Sequence, residues 1–417
     1  MSEPIALLRG LPIEVFENPR PGDAWTRCPL ARAGDAVLLR AVAASIACPK
    51  VRIDSSFLLH APLEFLARAW LLQRVPPRAR EAARRRIAEI AVRYALEGPE
   101  IEPDPKTYPT EDAALAELSA ALRAGDAEAV DGALLFLTPR TPVERLRAVL
   151  AEPILPLLGA AGHAPVLLML LKNAATRFPE SGALLRSPLR ALALQADRRL
   201  SWMEGAGEPG PGTAALFDRL AAPPRVETPS NGIAATMLAT ERDGYAARIL
   251  ADATIGVSAH AARRILLRVA ALSMLLDDPT HAPYGWTHCF TLPQAILSLE
   301  DVASDEARVV RVAATYSLGF RATLGSVPLQ YPLARDSRIS NISARLSPSD
   351  AAAMVFNADA ARRRAIRAQL VERAAVHADA HFAKYTMACL TAAGGDPRES
   401  ALYLAAAAYL GAWWDCR

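Results

Sequence analysis

Residues 358–393 read ADAARRRAIRAQLVERAAVHADAHFAKYTMACLTAA. Alanine, leucine and arginine favour a helix. Leu370, Ala374, His377, His381, Lys384 and Ala388 follow a 4-3-4-3-4 spacing, which places them on one face of a helix. That face is otherwise apolar. Two imidazoles and an ammonium among small and aliphatic side chains are costly to bury unless they find partners. Asp379 lies off the stripe and is poorly placed to neutralise Lys384 within the helix.

The same helix-forming character extends outward over the chain. Strand-type alternation is hard to find. Helices are expected at 60–72, 78–96, 111–123, 127–137, 142–150, 166–178, 188–203, 234–250, 260–276, 292–299, 306–324, 358–393 and 399–414. Loops are expected at 205–212, 223–232 and 337–348, where Gly, Pro and Ser gather. Residues 1–56 read as irregular, with turn signals at Asn18-Pro19-Arg20-Pro21-Gly22. The expected fold is all-α, a compact multi-helix bundle with a buried metal centre, formed by one domain over 1–417. Residues 153–171 carry no charge. Their prolines, glycines and His163 point to a broken pair of buried helices rather than a membrane span.

A formal net charge of +3, spread along the chain, gives no reason to expect nucleic acid as a partner. The five cysteines, Cys28, Cys48, Cys289, Cys389 and Cys416, are odd in number and scattered, and no C-x-x-C occurs. That pattern suits a reducing cytoplasm better than a disulfide framework or a zinc ribbon. The stretch Met1 to Leu8 contains Glu3 and has no basic leader character, so a cytoplasmic location is expected. The phosphate-loop motif, the G-x-S-x-G elbow, H-E-x-x-H, His-Asp and Glu-x-x-His are all absent, which removes the chemistries those motifs support.

Seven histidines remain to be explained. The tripeptide His-Ala-Pro occurs at His60, His163 and His281. Proline suits a first helical turn, so each of these histidines is expected at or just before a helix N-terminus. The positive end of a helix disfavours imidazolium and keeps the ring in its neutral, metal-binding form. In Tyr284-Gly-Trp-Thr-His288-Cys-Phe-Thr-Leu-Pro-Gln294, Thr291 and Gln294 resemble a capping box for a helix starting at Leu292. His288 would then sit on a rigid turn between Trp286 and Phe290, as a ligand or as part of an ordinary packed loop.

Lys384 is one of only four lysines among 47 basic residues. It could extend its ammonium to solvent. Alternatively, a neutral buried amine could take up carbon dioxide and become an anionic carbamate ligand, which arginine cannot do. Each histidine, taken singly, could equally be a satisfied core residue.

The stretch His381-Phe-Ala-Lys384-Tyr-Thr-Met-Ala-Cys389, with Asp396-Pro and Tyr403-Leu-Ala-Ala-Ala-Ala after it, resembles the end of questin oxidase-like proteins. His288-Cys-Phe-Thr is similar to the His-x-Val-Thr motif of that family, and His60 and His163 resemble its two N-terminal histidines. The resemblance implies a non-haem iron centre held by His60, His163, His288, His381 and carboxylated Lys384. It further implies oxidative cleavage or oxygenation of an aromatic, polyketide- or quinone-like metabolite by O2, as a dioxygenase or a monooxygenase. NADPH acting through a separate reductase is a further candidate. The chain departs from the family pattern at Met387, where the family has an acidic residue. His281 competes with His288 as ligand, and His377 could support a ligand or replace one. Trp286, Phe290, Tyr385 and Trp413 are candidate walls of a substrate pocket. The rival readings are a zinc hydrolase at the same histidines and a non-enzymatic helical binding protein.

Overall fold

The structure, a computed structural model, describes residues 3–51, 55–102, 104–175, 179–202, 213–230, 232–331 and 346–417. The fold is all-α. Among the described residues there is no strand, and Lys50 and Glu100 form one isolated antiparallel bridge. No helix of the described residues is long and apolar enough to cross a membrane. The expected loop at 205–212, and 337–345 of the one at 337–348, lie outside the described residues.

One domain over 1–417 is the expectation, and by internal contacts the chain falls into two units. One comprises Met1–Arg198 with Ala374–Ala380, the other Arg199–Arg373 with His381–Arg417. In the first unit the Ser56–Leu72 helix packs on Pro77–Leu96 and on Ala164–Ala175. It is buried nearly all round, with Leu63, Phe65, Leu66, Ala67 and Leu71 among its core residues. In the second unit Thr287–Leu297 packs between Ala259–Leu276 and Glu306–Leu324, and Pro348–Phe356 lies along Ser400–Asp415. Every residue of Thr287–Leu297 is buried, including the polar Thr287, His288, Thr291 and Gln294.

The described residues of 1–56 are not irregular. They form Glu3–Arg9, three single-turn helices and the twelve-residue Asp35–Ile46 helix, whose Leu38, Val42 and Ile46 are buried. Short helices separated by proline and glycine carry too few residues for a periodic pattern to stand out. The expected helix at 234–250 is split into Ile233–Glu241 and Tyr245–Thr254, because Asp243 and Gly244 both take left-handed backbone angles. The expected helix at 358–393 is also two helices, Ala360–Val376 and Ala380–Gly395. Arg68 explains the break. Its guanidinium donates to the carbonyls of Ala374, Ala375 and His377, at 3.2, 3.0 and 2.7 Å. The Asp379 amide meanwhile donates to Nδ1 of His377 at 3.0 Å. The amide and the carbonyls that would have continued the helix are therefore engaged elsewhere.

Candidate metal-binding histidines

In the first unit, His60 sits in the second turn of Ser56–Leu72, not at its start, and Pro62 lies inside that helix. His163 stands immediately before Ala164–Ala175, as the His-Ala-Pro reading expects. The 153–171 stretch is broken as anticipated: Val143–Ile154 ends, a short turn follows, and Ala164–Ala175 begins. That turn is unusual. Ala160, Ala161 and Gly162 are left-handed in succession, at φ 48°, 51° and 67°. For alanine this conformation costs about 1–2 kcal/mol. The strain is held next to a candidate ligand, where such outliers concentrate.

The Nε2 atoms of His60 and His163 lie 3.2 Å apart, with the rings nearly perpendicular at 87°. The outer nitrogens are also engaged. Nδ1 of His163 faces the carbonyl of Ala160 at 3.2 Å, and Nδ1 of His60 faces Oγ of Ser56 at 3.2 Å. A carbonyl only accepts, so neutral His163 carries its proton on Nδ1 and presents a bare lone pair at Nε2. Two imidazole nitrogens bound to one first-row ion at about 2.0–2.1 Å stand about 2.9–3.4 Å apart. The observed separation falls in that range. It also suits one hydrogen bond, from Nε2–H of His60 to Nε2 of His163.

In the second unit, His288 is the second residue of Thr287–Leu297, not a residue ahead of the helix. The expected capping box does not form. Thr291 Oγ1 donates to the carbonyl of Thr287, and Gln294 donates to the carbonyl of Ala388. The helix begins earlier because Ala282–Trp286 is a wide, π-type turn that feeds straight into it. His288 Nδ1 donates to the carbonyl of Tyr284, which again leaves Nε2 as a lone pair. The rings of His288 and His381 are edge to face, with centroids 5.1 Å apart. Tyr284 stands edge to face on the other partner, with its ring centroid 4.9 Å from that of His381. His163, His288, His381 and Lys384 are all buried. Lys384 follows His381 by one turn in Ala380–Gly395.

His281 ends the short helix Pro279–His281, so its His-Ala-Pro precedes the wide turn and not an α-helix. Its ring lies 6.4 Å from that of Trp286. His377 lies in the break between helices. Its Nδ1 accepts from Asp379 and its carbonyl accepts from Arg68, so it fixes the connection and is not on a shared helical face with His381. Trp286, Phe290 and Tyr385 are fully buried. Phe290 packs edge to face on Tyr385 and Tyr403, at 5.4 and 5.8 Å, and so builds core. Burial holds Tyr385 well above the ordinary phenol range, and burial also raises the Cys389 thiol. Trp413 packs on Trp414 at 4.9 Å.

Tyr284 was not among the residues the sequence suggested. It is a large aromatic left 53% exposed beside buried His381. Its position in a segment bounded by Pro283 and Gly285 was the only available signal. The chain matches no protein family, no curated protein and no solved structure in these comparisons.

Proposed function

We propose that this chain is a non-haem iron oxygenase acting on a planar aromatic substrate, with iron held by His60, His163, His288, His381 and carboxylated Lys384. The observation that carries the reading is the orientation of the imidazoles. His163 and His288 each spend Nδ1 on a backbone carbonyl, and His163 meets His60 at a separation suited to a shared ion. The sequence resemblance to questin oxidase-like proteins supplies the choice of iron and of O2 as co-substrate. Nitrogen-rich ligation with one anionic oxygen suits iron(II).

Bound iron would supply the one-electron chemistry that lets O2 react with an aromatic ring. The chain's own part is to hold and orient. Carbonyls of Ala160 and Tyr284 hold the Nδ1–H tautomers of His163 and His288, so that in the neutral ring Nε2 is the atom available to a metal. The core around Phe290, Tyr385 and Tyr403 keeps water from the helices that carry His288, His381 and Lys384. A carbamate on Lys384 would replace a buried cation with an anion and so reverse its effect on a nearby divalent ion.

Elemental analysis of anaerobically purified protein tests the reading. About one iron per chain is expected, with O2 uptake when an aromatic substrate is added. Lys384→Arg should lose the metal and keep its helical circular dichroism. Lys384→Ala should recover part of the metal when a short carboxylate is present in the buffer. Zinc in place of iron, without O2 uptake, would point to a hydrolase. A folded chain that takes up no divalent metal would end the proposal.

A further inference from the structure

We infer that Tyr284 is the stacking platform for a planar aromatic ligand, and that the wide turn 282–286 ties this platform to the orientation of His288. The inference deepens the proposed reading and rests on it for the chemistry, but the platform can be tested without metal.

Three observations converge on this residue. First, the chain buries most of its large aromatics, and Trp286, Phe290, Tyr385 and Phe382 have essentially no exposure. Tyr284 is 53% exposed. An exposed ring of that size gains most when a second flat apolar surface covers it. Second, the ring is not a stray surface group. It stands at 84° to His381, edge to face, with centroids 4.9 Å apart. The exposed ring is therefore anchored directly against the imidazole. Third, the backbone of the same residue is fixed. The Tyr284 carbonyl accepts from Nδ1 of His288 and from Oγ1 of Thr287, the latter at 3.0 Å. Ring and carbonyl of one residue thus address His381 and His288 respectively.

The wide turn is what allows this double use. An i→i+5 turn is rare and costs hydrogen-bond geometry, and it recurs at functional positions. Gly285 lies within this turn at a close approach to Leu324. A Cβ at that position would meet Cδ1 of Leu324 at 2.5 Å and Cβ of His281 at 3.3 Å. A residue with a side chain there would have to displace the Leu324 side chain or shift the turn that carries the Tyr284 carbonyl. The ligand class follows from the surroundings. The platform offers a π-face beside the buried His381 ring, and a flat fused-ring molecule is the ligand that covers such a face most completely.

The test is a fluorescence titration of the full chain with 2-naphthol, a two-ring phenol, alongside metal analysis of the same samples. Wild type should bind saturably. Tyr284→Phe should keep its affinity within about twofold, since the ring remains. Tyr284→Ala should bind about five- to tenfold more weakly. Its metal content should not change, because the carbonyl that holds His288 belongs to the backbone. Gly285→Ala should lower metal content as well as naphthol affinity. No saturable binding by wild type, equal affinity in Tyr284→Ala and wild type, or equal losses in Tyr284→Phe and Tyr284→Ala would overturn the inference. A metal-free chain that still shows naphthol binding dependent on Tyr284 would keep the platform and remove the oxygenase reading.

Discussion

Arg68 is a buried, multiply bonded anchor of the first unit. Its side chain is fully buried, paired with Glu64 at 2.7 Å one turn earlier, and it donates to three carbonyls around His377. Removing it leaves a buried carboxylate unmatched and those carbonyls without their donor. Arg68→Met is expected to cost about 3–5 kcal/mol, read as a lower urea midpoint. Arg68→Lys should recover little, because one ammonium cannot reach acceptors that the forked guanidinium spans. A midpoint within error of wild type would show that the pair adds nothing. Asp23 makes a separate case, in pH dependence. The hydrogen bond from Arg85 holds its carboxyl well below the usual range, helped by the amides of Thr26 and Arg20. A depressed carboxyl contributes stability that is present above its unfolded value, near 3.8, and is lost as pH falls toward the folded one. Asp23→Asn should therefore flatten the acid limb of a stability–pH curve below about pH 4 and change its shape little at neutral pH. An unchanged acid limb would refute this.

At the scale of elements, the turn before His163 offers the sharpest expectation. Ala161 is left-handed without being glycine. Ala161→Gly should raise stability by about 0.5–1 kcal/mol, the relieved strain less the added freedom of the unfolded chain. Gly162→Ala, at φ 67°, should act in the opposite direction. Thermal unfolding of the two variants measures both, and a destabilised Ala161→Gly would mean that the turn is not strained. The elements also show what a sequence displays and what it hides. Glu306–Leu324 and Ala127–Leu137 match their expected bounds, because apolar periodicity and an aspartate cap mark each one locally. The split at Asp243-Gly244 was also marked, since that dipeptide favours left-handed angles, but the apolar pattern on both sides outweighed it. The break at 377–379 carried no local mark. It is made by a guanidinium from a helix some three hundred residues earlier. The candidate site divides in the same way. The histidines were visible by type and context. The wide turn that sets His288, and the exposure of Tyr284, arise from tertiary packing that no local sequence pattern marks.

For the whole molecule, a resident metal should appear in the stability of the chain. An ion that binds only the folded state adds about 2.7 kcal/mol at a hundredfold excess over its dissociation constant. Chelator treatment should lower the melting temperature, iron(II) should restore it, and the shift should vanish in Lys384→Arg. An identical melting curve with and without chelator would argue against any tightly held ion. The route of the chain has a consequence for its synthesis. The first unit includes Ala374–Ala380, so it is completed by residues made long after its other helices. The first carbonyl that receives Arg68 is 306 positions downstream. At ribosomal speeds of about 5–20 residues per second, Arg68 and Glu64 would wait roughly 15–60 s for that partner. During this interval the nascent chain holds a nearly finished helical unit with an unsealed polar seam, an opening that chaperones or proteases could reach before the last few dozen residues emerge.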